Sequence, residues 1–155
     1  MCNKTEVNKQ KIISYTFKDN INELNFFVNE TNFHAFNRLI NKESTFSFLY
    51  GPKKSGKTFL SHIWKKKYNA NKLSNNFEEL IIKKNNILID DLYSFDQEII
   101  FHLVNYCILN NLKILITSPY KITDIKFKFN DLPSRLKTFS FLEINIPDDE
   151  MLLTI

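Results

Sequence analysis

Both glycines of this 155-residue chain lie in one short stretch, GPKKSGKT, at residues 51–58. Glycine makes up about 7% of an average protein, so a chain this poor in glycine indicates that these two positions require it. The residues before the stretch are TFSFLY. Polar and apolar side chains alternate in this segment and aromatic ones are frequent, which is typical of a β-strand. The residues after it, FLSHIW, have the apolar spacing of a helix. The chain therefore places a strand, a glycine-bounded loop and a helix in this order.

The stretch matches the phosphate-binding pattern G-x-x-x-x-G-K-T, in the strand-to-helix context that the pattern requires. Side chains at Gly51 and Gly56 would block the close approach of a diphosphate to the backbone, or the dihedral angles of the loop. We expect Lys57 to reach the β- and γ-phosphates of a nucleotide, and Thr58 to coordinate Mg²⁺ through its hydroxyl. The other residues expected to contact the nucleotide are Pro52, Lys53, Lys54 and Ser55.

Two adjacent acids follow an apolar run, NILI, at residues 86–89. The run predicts a buried strand, and the acids at its end can complete a nucleotide site. Asp90 fits a ligand of Mg²⁺, and Asp91 fits the residue that orients or deprotonates an attacking water. Paired acids at the end of a strand also serve in helix capping or turn formation. The phosphate-binding loop upstream favours the metal interpretation.

Strands and helices alternate along the rest of the chain, which favours one domain with a parallel sheet covered on both faces. Further strands are predicted at residues 113–117 and 139–146, and helices at residues 30–40, 77–84, 96–109 and 131–137. Another helix is predicted to open at Pro147, where acids follow the proline. The IKFKF segment at residues 125–129 is interpreted as a loop anchored by its aromatic side chains, with base stacking as the alternative.

Composition narrows the class of protein. The apolar runs are no longer than strands and the first residues carry no signal sequence, so we expect a cytoplasmic protein without membrane contact. Cys2 and Cys107 lack metal-ligand spacing, as expected for free thiols in a reducing compartment. The net charge is +4, but lysine is abundant together with Asn, Ile and Phe, so we interpret the charge as a drift of the whole composition. The run KKK at residues 65–67 predicts a solvated helix face, with a phosphate-tracking patch as the alternative.

From about residue 17 onward, the chain resembles the DnaA/Hda branch of the AAA+ ATPases. The segments that carry the resemblance are NFFVNETNFHAFNRLI, GPKKSGKTFLSHIW, ILIDDL, QEIIFHLVN and LPSRL. The resemblance implies an α/β fold of the P-loop NTPase class, which is a three-layer sandwich with a parallel sheet of about five strands. It also implies ATP or ADP with Mg²⁺ as ligand. In the family's terms, residues 51–58 correspond to Walker A, and Asp90 and Asp91 correspond to Walker B.

Two further roles follow only from the resemblance. Thr117, together with Ser118, occupies the place of sensor 1 at the end of a core strand. Arg135 in LPSRL occupies the place of the arginine finger, which reaches the γ-phosphate held by a neighbouring subunit and stabilises transition-state charge. A surface salt bridge is the alternative for Arg135. Phe26 and Phe27 match the segment that lies beside the adenine in this family, and core packing is their plain interpretation.

Within the branch, the chain resembles the Hda-type regulator more than the initiator, because we expect no counterpart here of the initiator's helix-turn-helix domain or of its extra helical pair. The resemblance implies a regulator that promotes hydrolysis of ATP bound to a DnaA-type initiator, without sequence-specific DNA binding of its own. Hda-type proteins pair with the replicative sliding clamp through a short N-terminal motif. Gln10, Ile13 and Tyr15 fit its pattern, Q-x-x-aliphatic-x-aromatic.

These inferences divide the chain into a tail with the clamp motif at residues 1–16, a nucleotide-binding domain at 17–147, and the start of a truncated lid helix at 148–155. The rest of the family's C-terminal lid is expected to be absent, which leaves open whether the chain hydrolyses ATP by itself. The alternative functions are a helicase-loader-like or DnaA-like adaptor, a small P-loop kinase, and an inactive nucleotide-binding scaffold. Arg38 and Arg135 are the only arginines, which counts against a kinase.

Overall fold

The computed structural model describes residues 11–13, 26–28, 32–42 and 44–145. Its strands are β1 (Lys11–Ile13), β2 (Phe26–Val28), β3 (Phe46–Tyr50), β4 (Asn71–Lys72), β5 (Ile87–Ile89), β6 (Ile114–Ser118) and β7 (Ser140–Glu143). Its α-helices are α1 (Phe33–Phe36), α2 (Lys57–Lys67), α3 (Glu78–Lys83), α4 (Gln97–Leu109) and α5 (Asp131–Leu136). A π-helical turn, Asn37–Asn41, continues α1, and 3₁₀ turns occupy Leu92–Ser94 and Ile122–Asp124.

The predicted elements that fall on described residues are present, with ends shifted by up to three residues. The helix predicted to open at Pro147 lies outside the described residues, as do Gln10 and Tyr15 of the predicted clamp motif.

Five strands form one parallel sheet in the order β4, β5, β6, β3, β7. β6 lies between β3 and β5, with Phe46 opposite Ile114 and Ile89 opposite Ile116. The carboxyl ends of parallel strands meet at one edge of a sheet, where open α/β folds bind their ligands. The loop after β3 and the acids after β5 therefore flank the end of β6. This arrangement confirms the predicted α/β fold with a parallel sheet of about five strands.

Both faces of the sheet are buried. Successive residues of a strand point to opposite faces, so neighbouring residues pack in different clusters. Leu49 of β3 packs in a cluster with Trp64 of α2, whereas its neighbour Phe48 packs in a second cluster with Leu103 of α4. The first cluster takes Leu88 and Leu115 from the sheet, and the second takes Ile87, Ile89, Ile114 and Ile116. The three layers are therefore helix, sheet and helix, as predicted.

The amide of Asn86 connects three elements at the opposite edge of the sheet. Its Nδ2 donates to the carbonyl of Tyr68 after α2, at 2.8 Å, and its Oδ1 accepts the backbone N–H of Lys113 before β6, at 2.8 Å. Its own carbonyl accepts the N–H of Asn71 in β4, at 2.8 Å. One residue thereby fixes where β4, β5 and β6 begin relative to one another.

The loop at residues 122–130 is held against the start of α4. Oε1 of Gln97 accepts the backbone N–H groups of Lys128 and Phe129, at 2.8 and 3.0 Å. The ring of Phe129 lies 5.0 Å from that of Phe101, between centroids, and Phe127 is also packed against the core. The structure thus supports the anchored loop rather than the base-stacking alternative.

β1 and β2 form a separate antiparallel pair, with Lys11 opposite Val28 and Ile13 opposite Phe26. β1 belongs to the predicted tail and contains part of the predicted clamp motif. β2 belongs to the segment that resembles the family's adenine-flanking segment. Backbone pairing therefore joins the predicted tail to the predicted nucleotide-binding domain.

Cys107 of α4 is a free thiol in the hydrophobic core. Burial raises its pKa to about 12, so the reactive thiolate is scarce near neutral pH. None of the helices formed by the described residues has the length and apolar character needed to cross a bilayer.

Gly51 lies where the ends of three neighbouring strands converge. Its N–H donates to the carbonyl of Ser118 in β6, at 3.2 Å, and the N–H of Ile144 after β7 donates to the carbonyl of Tyr50, at 2.9 Å. A Cβ atom on Gly51 would lie 2.2 Å from the backbone oxygen of Ile144. The backbone oxygen of Ile144, directly after the neighbouring strand β7, therefore requires glycine at position 51. This reason differs from the predicted ones, which were the approach of a phosphate and the dihedral angles.

Replacing Gly51 by alanine should destabilise the fold. The new methyl group meets a main-chain carbonyl that cannot rotate away, so we expect the free energy of unfolding to fall by about 2–3 kcal/mol in urea denaturation. Lys53→Ala, which is exposed in the same loop, is the matched control and should change stability by about 0.5 kcal/mol or less. Equal stability of the two variants would contradict this packing.

Candidate functional site

The ammonium of Lys57 is held inside the loop that precedes it. Its Nζ donates to the carbonyls of Gly51 and Pro52, at 2.6 and 2.7 Å, and to Oγ of Ser55, at 3.3 Å. These three partners are neutral oxygens of the loop itself. None of the ion pairs formed by the described residues includes Lys57. The ammonium is thus positioned by the loop without a carboxylate to neutralise its charge.

The electrostatic surroundings of Lys57 make this cation responsive to an anion. Burial lowers the pKa of Lys57, and the carboxylates of Asp91 and Asp90 partly offset that effect. A phosphate placed in the loop would favour the charged form by the same rule. The influence of both acids also shows that the loop and the acidic strand end lie at one place.

The backbone of the loop adds a second anion-binding feature. Lys54 and Gly56 have left-handed conformations, with φ of 64° and 97°, which glycine adopts freely and lysine adopts with strain. α2 begins at Lys57 directly after Gly56, and no side chain caps this end. The N–H groups in the first turn of a helix have no partner within the helix, and the helix dipole is positive there. The loop therefore offers backbone donors and a cation to the same ligand.

The hydroxyl of Thr117 connects the two acids after β5. Its Oγ1 donates to Oδ1 of Asp90, at 3.0 Å, and accepts the backbone N–H of Asp91, at 2.8 Å. Thr117 is 1% exposed, so both hydrogen bonds are shielded from solvent and hold their geometry firmly. The structure thus brings together Asp90, Asp91 and Thr117 at the end of β6.

Asp91 closes the turn that follows the strand. Its φ is 75°, and its Oδ1 accepts the N–H of Tyr93, at 3.0 Å, while Oδ2 accepts the hydroxyl of Ser94, at 3.3 Å. This is the turn-forming role that the sequence left open for the acidic pair. Asp90 has no such bond in the turn. The two adjacent acids therefore have different environments, and Asp90 is the better placed to hold a metal ion.

Lys72 is a site residue that nothing in the sequence spacing indicates. Its Nζ lies 3.1 Å from Oδ2 of Asp90, and it stands opposite Leu88 in the pairing of β4 with β5. Its side chain is 51% exposed, against 14% for Asp90. The register of two strands brings it to the acid, and that register is not visible in the sequence. Asp90 thus has a partner on each carboxylate oxygen.

An exposed tyrosine pair borders the acids and was also missed. The rings of Tyr93 and Tyr120 meet edge to face, with centroids 5.7 Å apart and an interplanar angle of 82°. Ser118 supports this corner, because its Oγ accepts the N–H of Tyr120, at 3.1 Å, and donates to its carbonyl, at 2.9 Å. Ser118 is therefore engaged in a local turn. Of these two neighbouring residues, it is Thr117 that contacts the acids.

The donor set fits Mg²⁺ shared with phosphate oxygens. Asp90 supplies a carboxylate, and Thr58 supplies an exposed hydroxyl in the first turn of α2. In the part of the chain that the structure describes, no three His, Cys, Asp or Glu side chains gather into a metal site. Mg²⁺ does not require such a cluster, because it is usually bound by one or two carboxylates together with substrate phosphates and water.

Arg135 lies in the last turn of α5. Its carbonyl accepts the hydroxyl of Thr138, at 2.9 Å, and its side chain is exposed. The ion pairs among the described residues do not include Arg135. The surface salt bridge that was its alternative role is thus not formed with any described residue.

Comparison with known proteins yields structural matches only. No protein-family model and no curated protein matches the chain. AMPPCP-bound DnaA from Aquifex aeolicus has a TM-score of 0.64 and 21% identity, over 83% of this chain and 51% of that chain. Domain III of the Thermotoga maritima replication initiation protein DnaA has a TM-score of 0.63 and 17% identity, over 81% and 67%. DnaI has a TM-score of 0.56 and 17% identity, over 77% and 84%.

These similarities establish the fold, which the chain shares with the matched parts of DnaA and DnaI. The parallel sheet of five strands and the three layers described above are those that the resemblance of the sequence implied. The chain spans about half the length of the Aquifex aeolicus DnaA that it matches.

Replacing Thr117 by valine should disconnect the acids from β6. The variant leaves Oδ1 of Asp90 and the N–H of Asp91 without their partner, so the free energy of unfolding should fall by about 1–3 kcal/mol. Amide hydrogen exchange at Asp91 should accelerate in Thr117→Val, whereas Thr117→Ser keeps the hydroxyl and should keep the protection. A protected Asp91 N–H in the valine variant would contradict the arrangement.

Proposed function

We propose that the chain binds ATP or ADP with Mg²⁺ at the sheet edge where β3, β5 and β6 end. The observation that carries this proposal is the ammonium of Lys57, held among neutral loop oxygens at the uncapped start of α2. A partly buried cation without a carboxylate partner is favourably paired with an anion. Nucleotide phosphates are the anions that this loop pattern binds. The similarity of the fold to AMPPCP-bound DnaA also supports the proposal.

In this proposal, backbone N–H groups of the loop after Pro52 and of the first turn of α2 surround the phosphates. Lys57 exchanges its contacts with loop carbonyls for contacts with β- and γ-phosphate oxygens. Thr58 and Asp90 would hold Mg²⁺, which would neutralise part of the negative charge of the phosphates.

The remaining residues fix the geometry of the metal side. Thr117 holds Oδ1 of Asp90 through its buried hydroxyl. Asp91 is fixed by the turn that it closes, so that a water bound to its carboxylate would have a defined orientation toward the γ-phosphate. Hydrolysis by the chain alone requires this water to be activated, and both carboxylate oxygens of Asp91 are already engaged in the turn.

Replacing Lys57 by alanine tests the nucleotide site. Charge-assisted hydrogen bonds to phosphate are lost, so the affinity for ADP with Mg²⁺ should fall about 10- to 100-fold in calorimetric titration. Lys53→Ala removes the same charge from an exposed position of the same loop, and it should change the affinity by a smaller factor. Equal affinities of the Lys57 variant and the parent chain would overturn the proposed site.

We further infer that the nucleotide-binding chain is a regulator of replication initiation, which promotes hydrolysis of ATP on a DnaA-type initiator together with the sliding clamp. The fold shared with DnaA supports a pairing of this chain with the similar domain of an initiator. The exposed Arg135 supports an action on the partner's nucleotide, since an arginine without an ion pair among the described residues is available to a phosphate. Its planar group remains charged and can bond two phosphate oxygens at once.

The clamp contact is assigned, in this proposal, to Gln10, Ile13 and Tyr15. Ile13 lies in β1, whose backbone is extended and pairs with β2. An extended segment is the form in which a short peptide presents an aliphatic and an aromatic anchor to a surface pocket.

Arg135→Ala and Arg135→Lys test the action on the initiator. Both variants should lower stimulated hydrolysis by about 10³-fold or to the initiator's own rate, because lysine keeps the charge but not the two-pronged geometry. The measurement is single-turnover hydrolysis of ATP prebound to the initiator, with DNA-loaded clamp. Lys137→Ala, which removes an exposed cation near the end of α5, is the control and should stimulate normally.

Three results would change this assignment. Full stimulation by Arg135→Ala would show that Arg135 is an ordinary surface residue. Loss of the chain's own nucleotide binding in that variant would place the arginine at its own site. Absence of stimulation by the parent chain, with nucleotide binding intact, would favour the second candidate, an adaptor that binds nucleotide without acting on the initiator's ATP. The similarity to DnaI supports that candidate.

A further inference from the structure

We propose that Lys72 competes with Mg²⁺ for Oδ2 of Asp90, so that the metal ion binds by displacing the ammonium of Lys72. The inference rests on the proposed nucleotide function and adds a built-in competitor to the metal side of that site.

The two oxygens of Asp90 differ in how easily their partners leave. Oδ1 accepts the hydroxyl of Thr117, which is buried and whose oxygen also accepts the N–H of Asp91. Oδ2 contacts only the ammonium of Lys72 among the hydrogen bonds and ion pairs of the described residues, at 3.1 Å. Thr117 therefore fixes the carboxylate, and Oδ2 is the oxygen on which one cation can replace another.

The ammonium of Lys72 can readily separate from Asp90. Lys72 is the last residue of the short edge strand β4, and its side chain is half exposed. Because the ammonium of Lys72 reaches solvent, water can readily take over its hydrogen bonds when it leaves the carboxylate. The swing needs no movement of the sheet, because only a flexible four-carbon side chain moves.

The surroundings of Lys72 are already rich in positive charge. Burial lowers the pKa of His62 on α2, and the charges of Lys66, Lys65 and Lys72 lower it further. Lys57 lies close enough to Asp90 for the carboxylate to influence its pKa. A divalent cation that arrives at Asp90 while Lys72 stays in place would add to this positive charge. Release of Lys72 relieves that repulsion, which is the physical reason for exchange rather than joint binding.

Lys72→Met isolates the competitor. The variant keeps an unbranched side chain that is one atom shorter and removes the charge. Mg²⁺ must break the ion pair of Lys72 with Asp90, which weakens the apparent affinity for the metal by about two- to fivefold. We therefore expect the MgCl₂ concentration at half-maximal enhancement of ADP binding to fall about two- to fivefold in the variant, measured with a fluorescent ADP analogue. The affinity for the same analogue in EDTA should stay unchanged or weaken, because the phosphates lose a nearby cation.

Three controls define the effect. Lys72→Arg keeps the positive charge and should keep the parent's MgCl₂ dependence. Lys83→Met removes a lysine that also pairs with a carboxylate, that of Glu79 on α3 at 4.0 Å, and it should not alter the dependence. In Asp90→Asn, the addition of Lys72→Met should produce no further shift, because the contested oxygen is gone.

The outcomes separate this inference from the proposed function. Nucleotide binding in EDTA, reduced by Lys57→Ala, tests the loop alone. If that binding is present and Lys72→Met leaves the MgCl₂ midpoint unchanged or raises it, the competition is overturned while the nucleotide site stands. If the chain binds no nucleotide, Mn²⁺ titration of the nucleotide-free protein, followed by the EPR signal of free Mn²⁺, decides the inference. Tighter Mn²⁺ binding by Lys72→Met supports it, and equal binding overturns it.

Discussion

The position of β6 between β3 and β5 is the constraint on which the site depends. Parallel pairing on both sides of β6 places Thr117 next to the acids of one neighbour, and the carbonyl of Ser118 next to the loop of the other. The loop and the acidic strand are not adjacent in the sheet, so their joint site exists only because β6 connects them. Interior strands of such a sheet are buried on both faces, which makes this connection rigid as well as close.

Much of the fold could be predicted because its signals are local. The stretch GPKKSGKT lies between an aromatic strand and an apolar helix, and NILI ends in two acids, so each can be interpreted within ten or so residues. α4 shows the same property, because its apolar face and the capping Asp96 are neighbours in sequence. The resemblance of five segments to one family implied a P-loop NTPase fold and a role for each motif. The structural similarity to DnaA agrees with that fold.

The features that could not be predicted are set by contacts between distant parts of the chain. Lys72 reaches Asp90 through the register of β4 against β5, and Gly51 is required by the carbonyl of Ile144. The two acids look equivalent in the sequence, yet Asp91 closes a turn while Asp90 meets Thr117 and Lys72. In each case the sequence indicates which residue types suit the position. The partner that each residue meets depends on how the strands pair and on the turn that follows.

The strand order also has a consequence for the birth of the protein on the ribosome. β3 has two neighbours in the sheet, β6 and β7, and both are synthesised later than β3 itself. β4 and β5 emerge earlier and can pair with each other, yet they too need β6 before they can join β3. Pairings between distant strands are slow to form, because the intervening chain must first be ordered. A nascent chain therefore carries the complete sequence of residues 51–58 long before it has a strand against which that loop can be shaped, and the proposed nucleotide site is among the last parts of the domain to form.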